Sequence, residues 1–177
     1  MDDVIAQYHC EFAEQALAKK NVGASRDALR RALSVDPGCV RASMLLGDLE
    51  AEEGRDRAAI QAWQRVEQQD AQYFGEVAPR IADAYRRLDD TEGLYRFFSE
   101  ALQRNPSVAL VLTFADIIKE RDGVKAAEKF VVDWLRRRPN VHGLHRLLEL
   151  NIEQADAGMR NDLILLKGII EELRQQQ

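Results

Sequence analysis

Residues Gly47–Trp63 read GDLEAEEGRDRAAIQAW: a small residue, an acidic helical stretch closed by Gly54, then an apolar-periodic stretch ending in tryptophan. The pieces recur along the chain. Ala13, Gly47, Ala82 and Ala115 stand 34, 35 and 33 residues apart, and Leu29, Trp63, Phe98 and Val131 keep the same intervals. Ala32, Val66, Ala101 and Trp134 form a third column, and Pro37, Ala71, Pro106 and Pro139 a fourth. A period of about 34 with this order predicts stacked helical hairpins, each burying its apolar face only against its neighbours. The expected fold is all-α, an array of about four stacked hairpins followed by an irregular one. Such arrays bind partners along an extended surface, so the first functional class in view is binding rather than catalysis.

Composition sets further bounds. The chain has 177 residues, 46% hydrophobic and 31% charged, with 10 Gly and 4 Pro, which suits a helical array in water. A formal net charge of −5 leaves no basic surplus for neutralising phosphates, so nucleic acid is not an expected partner. The longest uncharged run, Asn105 to Ala115, is 11 residues, too short to span a bilayer, and no signal peptide opens the sequence. Cys10 and Cys39 do not make a disulfide framework and read as small apolar fillers in a reducing compartment.

Each unit reads as helix, turn, helix. The turns fall at Asn21-Val22-Gly23, at Gly54, at Asp89-Asp90-Thr91 and at Asp122-Gly123; Asp36-Pro37 ends the first hairpin because the residue before proline is pushed out of the helical region. Thr91 is placed to cap the helix that follows it. The small column marks where paired helices approach most closely, and Trp63, Phe98 and Trp134 fill space between helices.

The period and columns resemble the tetratricopeptide repeat, over about 4–38, 39–73, 74–106 and 107–140, in a single array continued by an irregular hairpin over about 141–177. Ser25 and Leu94 stand where that family favours Ala, and Ala71 replaces a Pro. The resemblance implies an all-α right-handed superhelix in which the first helix of each hairpin lines a concave groove. The residue after each small one then points into it: Glu14, Asp48, Asp83 and Asp116. With Glu52, Glu76 and Glu120 nearby, and Met44, Arg41, Arg86, Arg87 and Lys119 among them, the expected groove is acidic and partly relieved by cations. Two readings of the carboxylates stand open, a solvated helix surface or a partner-binding face. Acids here would repel the acidic chaperone tail that some tetratricopeptide domains clamp. The Asn ladder of the O-linked N-acetylglucosamine transferase repeats is missing too, since its positions hold Glu11, Leu45, Arg80 and Thr113. A transferase reading would rest on repeat similarity alone.

Catalytic and metal chemistry find no foothold in the motifs. His142 and His145 lie at i, i+3 without a third ligand nearby, and Ser25 and Ser99 have no His and acid in a recognisable arrangement. No phosphate-binding loop of the GxxxxGK[ST] type occurs. No cofactor, no metal and no enzyme activity are expected.

A narrower resemblance runs through Leu112-Thr113-Phe114-Ala115-Asp116-Ile117-Ile118-Lys119-Glu120-Arg121-Asp122-Gly123, with Tyr8-His9-Cys10-Glu11-Phe12-Ala13 and Arg137-Arg138-Pro139. These stretches, which include turn and linker residues, are similar to the cytoplasmic repeat region of the lipopolysaccharide assembly protein B family. That family implies an inner-membrane protein of Gram-negative bacteria with a membrane helix, cytoplasmic repeats and a rubredoxin-like module with two CxxC pairs. It implies an adaptor that promotes turnover of the lipid A deacetylase by a membrane-bound protease. This sequence carries no CxxC and no membrane helix, which predicts an excised piece of such a protein, on the cytoplasmic side of the inner membrane. The alternatives are a scaffold of another bacterial complex or a repeat region labelled a transferase without its catalytic domain. At the ends, Val4, Ile5 and Tyr8 are expected to meet a neighbouring hairpin. Leu163, Leu166, Ile170 and Leu173 make one stripe and Ile164, Leu165 and Ile169 a second, which predicts cover on two sides, one by a further module or a second copy.

Overall fold

The computed structural model describes residues 2–137 without a break, and residues 142, 145, 146, 149, 150, 160, 164, 167, 168, 171 and 175 beyond them. Eight α-helices fill the continuous part: α1 (Asp2–Ala18), α2 (Val22–Val35), α3 (Val40–Glu52), α4 (Asp56–Gln69), α5 (Phe74–Arg87), α6 (Thr91–Arg104), α7 (Val108–Asp122) and α8 (Val124–Arg137). No strand occurs among the described residues. Packing divides the chain into two units, Met1–Asp90 and Thr91–Gln177.

In the first unit α1 pairs with α2 and α3 with α4, and the joints α2–α3 and α4–α5 carry the stacking. In the second, α7 pairs with α8 and packs on α6. Local chemistry sets the breaks. Asn21 Oδ1 accepts from the Ala24 amide at 3.1 Å and Ser107 Oγ from the Leu110 amide at 3.3 Å, each satisfying a donor that an opening helix leaves orphaned. Asp36 closes α2, and its Oδ1 accepts from the Gly38 amide at 2.9 Å.

Among the described residues, the turns α1–α2, α3–α4, α5–α6 and α7–α8 each place one residue in the left-handed region: Lys20 (φ 59°), Gly54 (φ 71°), Asp89 (φ 54°) and Gly123 (φ 90°). The first turn therefore differs from its reading in sequence. Asn21 caps α2 and Gly23 lies inside it, while the strained conformation falls on Lys20, where an L side chain costs about 1–2 kcal/mol. Thr91 likewise opens α6 as its first helical residue rather than standing before it.

The small column is buried throughout, as are Leu29, Trp63, Phe98 and Val131. Gly47 is small by necessity, since a Cβ there would come within 2.2 Å of the Trp63 indole nitrogen. Trp134 departs from its column. Ala32, Val66 and Ala101 are fully buried, whereas Trp134 is half-buried and its indole N–H has no partner among the described residues. Cys10 and Cys39 are both buried, with sulfurs 4.0 Å apart, so the two fill the joint between the first and second hairpins. Two carboxylates of the first unit are buried and paired: Glu50, held by Arg26 at 2.7 Å and by Arg55, and Asp56, held by Arg87.

The apolar residues expected to meet a neighbour at the start of the chain are open. Val4 is 71% exposed, Ile5 42% and Tyr8 64%, and Phe12 joins them on α1. The register equivalents of Tyr8, which are Ala42, Val77 and Leu110, are fully buried. Toward the other end Ile164 is 51% exposed. Leu163, Leu165, Leu166, Ile169, Ile170 and Leu173 lie outside the described residues, as does most of the irregular hairpin.

Candidate functional site

The first helices α1, α3 and α5 of the first unit present one face, and the acid that follows each small residue stands on it. Each of these acids holds an arginine. Arg41 Nη2 donates to Glu14 Oε2 at 2.8 Å and its Nη1 to Gln7 Oε1 at 3.0 Å. Arg80 Nη1 donates to both oxygens of Asp48 at 2.8 and 2.9 Å, and the Trp63 indole N–H donates to the same Asp48 Oδ1 at 3.2 Å. Arg86 Nη1 reaches Asp83 Oδ1 at 2.6 Å within the same helix. The first two pairs bridge successive hairpins, so the face is a ladder of ion pairs rather than a bare acidic surface. Both groups of the Asp48–Arg80 pair are about 40% exposed (42% and 41%), which keeps its Coulomb energy small and its directional role the larger one.

The remaining sequence-predicted residues fall around this ladder. Met44 is half-buried beside Arg41, while Glu52 and Glu76 are exposed and make no ion pair with any described residue. Arg87 stays at the edge of the face but is already engaged, with Nε and Nη2 on the buried Asp56 at 2.7 and 2.6 Å. Two cavities open on the face. One of about 400 Å³ is lined by Val40, Arg41, Met44, Leu45, Asp48, Tyr73 and Arg80. The other, of about 280 Å³, is lined by Asp48, Ala51, Glu52, Trp63, Asp83, Arg80 and Arg87.

Sequence reasoning passed over Arg80, Tyr73, Val40, Leu45 and Gln7. Arg80 had a signal. It stands two residues before the small column, one helical step from the acid row, where an arginine reaches back to the preceding repeat. Arg146, in the second unit, occupies the corresponding place and holds Asp116.

In that second unit Asp116 is half-buried, and burial raises its carboxyl above the ordinary range despite the opposing pull of Arg146 and Lys119. Arg146 also donates to Glu149 Oε2 at 3.1 Å, and Lys167 Nζ lies 3.0 Å from Glu149 Oε1. Burial raises the Glu149 carboxyl, but those hydrogen bonds outweigh it and leave it lowered. Lys119 is half-buried and Glu120 exposed on α7. His145 is buried, with Nε2 3.0 Å from Glu171 Oε1, while His142 is exposed.

Hairpins of this register, with a small column, a left-handed turn residue and a first-helix face bridged by side chains, place the chain beside a solved structure described as a thermophilic tetratricopeptide protein of Thermus thermophilus. The two share 18% identity at a TM-score of 0.52, over 92% of this chain and 87% of that one. This chain has the tetratricopeptide-repeat fold. No family model matches it. Curated relatives lie in one direction: the repeat protein is 31% identical over 169 residues to lipopolysaccharide assembly protein B of Haemophilus influenzae and 27% identical over 169 residues to that of Escherichia coli K12. Each alignment takes in 95% of this chain but only 42% and 43% of the relative, so the repeat protein spans less than half the length of the curated proteins it matches. Among its described residues no helix is long and apolar enough to cross a membrane.

Proposed function

We propose that this repeat protein is a non-catalytic adaptor in the control of lipopolysaccharide synthesis, promoting proteolytic turnover of the lipid A deacetylase by presenting it to a membrane-bound protease. The observation that carries the proposal is the alignment with lipopolysaccharide assembly protein B over 95% of the chain. The structure adds a face suited to capture, with two open cavities around an ion-pair ladder. On this reading Glu14, Arg41, Met44, Asp48, Glu52, Glu76, Asp83, Arg86 and Arg87 belong to the capture face of the first unit. Asp116, Lys119 and Glu120 belong to that of the second. The protein works on the cytoplasmic side of the inner membrane, and the parent protein carries the anchor.

The test is deacetylase half-life in a Gram-negative host lacking its own copy of the adaptor, complemented by the parent gene or by the same gene with Asp48→Lys and Asp83→Lys. The expected result is rapid turnover with the parent and slow turnover with the variant. A half-life that ignores the presence of the parent gene would overturn the proposal.

A further inference from the structure

The Asp48–Arg80 pair divides the first-helix face into two pockets of opposite character, and both pockets include it. On one side Val40, Met44, Leu45 and Tyr73 supply an apolar lining, with Tyr73 48% exposed. An open aromatic ring over half-buried aliphatic side chains gains from being covered by a further apolar group. On the other side the lining is carboxylate-rich. Asp48 and Asp83 are already held by arginines and the lining Arg87 is already neutralised by Asp56, but Glu52 makes no ion pair with any described residue. The second pocket therefore has one uncompensated negative charge, beside the buried Trp63 ring. A ligand that uses both pockets must straddle the ion pair, which an extended chain does at about 3.3 Å per residue.

Resting on the groove reading above, we infer that this face recognises a linear peptide segment carrying a large apolar side chain and, a few residues away, a lysine or arginine. The apolar group fills the pocket at Met44 and Tyr73; the cation sits against Glu52. The ion pair between them is a divider whose two groups are already satisfied. It fixes the spacing of the two anchors and penalises a charge placed over it. Recognition by two anchors of different chemistry discriminates against segments that carry only one of them.

Selection of displayed random dodecapeptides against the whole chain tests this. Enriched sequences should pair Leu, Met, Phe or Trp with Lys or Arg within about four residues, a span of roughly 13 Å. A synthetic peptide of the winning sequence should lose about tenfold or more in affinity to Met44→Glu and to Tyr73→Ser, and likewise to Glu52→Lys. Exchanging the peptide's basic residue for Glu should recover binding to Glu52→Lys but not to Met44→Glu. Circular dichroism melts establish that each variant is folded. No enrichment, an enriched pool without the pairing, or equal binding to all variants overturns the inference. The Trp63 indole N–H resonance separates the two levels. Peptides that shift it without showing the pairing leave the groove reading standing, whereas peptides that bind and leave it unmoved count against both.

Discussion

Gly47→Ala is the smallest change that probes the packing under the candidate site. A Cβ built at Gly47 falls 2.2 Å from Trp63 Nε1, 2.3 Å from Cδ1 and 2.6 Å from Cε2, about 1.2 Å short of the 3.4 Å at which ordinary contact begins. The ring has nowhere easy to go, being 2% exposed and tied through Nε1 to Asp48 at 3.2 Å. Overpacking of this kind costs about 1–3 kcal/mol. Replacing Gly by Ala inside a helix returns about 0.5–1 kcal/mol of backbone entropy. The net expectation is destabilisation of about 1–2 kcal/mol, the opposite sign to that of an ordinary helical glycine. Trp63→Ala alone should cost about 3–5 kcal/mol through the cavity it leaves. With the ring gone, Gly47→Ala should turn stabilising by about 0.5–1 kcal/mol, a coupling of about 2 kcal/mol across the cycle, within the range for residues in contact. Urea titrations of the four proteins, followed by circular dichroism, measure each corner. If Gly47→Ala raises the midpoint in the parent background, the contact between Gly47 and Trp63 is not what keeps this position small.

Other parts of the molecule supply four further expectations. Lys20→Gly should stabilise by about 0.5–1 kcal/mol, since it relieves an L residue at positive φ, and Gly54→Ala, whose Cβ meets nothing within 4 Å, should destabilise by about 1 kcal/mol; equal melting temperatures for both would refute the turn argument. Glu50→Ala should cost about 3–5 kcal/mol in urea titrations, because it strands the Arg26 guanidinium against a buried site, and a loss under about 1 kcal/mol would show that the pair is dispensable. Burial first, then the neighbouring Cys39, pushes the Cys10 thiol from an ordinary 9.0 up to about 12. The unfolded chain thus ionises this thiol near pH 9 while the folded chain keeps it protonated, so its stabilising contribution is whole below pH 9 and is lost as pH rises toward 12. Cys10→Ala should flatten that part of the stability–pH curve relative to the parent, and identical slopes would argue against a protonated buried thiol. Asp48→Asn, which keeps an acceptor for the Trp63 indole N–H, with Asp83→Lys should change the melting temperature little, as both sites are partly exposed, yet weaken capture of the natural partner in a pull-down; undiminished capture would move the binding face elsewhere.

What the sequence determined by itself was everything that depends on short-range periodicity. A 34-residue recurrence of small, bulky and Pro positions, with Gly54 and Gly123 at two turns, fixes helical hairpins because each column answers a constraint repeated at every joint. Gly47 beneath Trp63 is such a constraint, visible as a pairing of smallest and largest residue sixteen positions apart. The acid row was legible for the same reason, since it keeps the register of the small column. Tertiary structure alone decided what those acids do. Arginine reaches far enough to choose among several carboxylates, and the choice is made by the neighbouring repeat: Arg80 bridges back to Asp48, 32 residues away, while Arg87, seven residues on, turns to Asp56. Glu50 stands in a column that elsewhere holds Ala16, Tyr85 and Ile118, and its charge is tolerated there because two arginines from α2 and the α3–α4 turn converge on it. Periodicity reports which face a residue occupies; which long side chain meets which partner on that face is settled only when the hairpins stack.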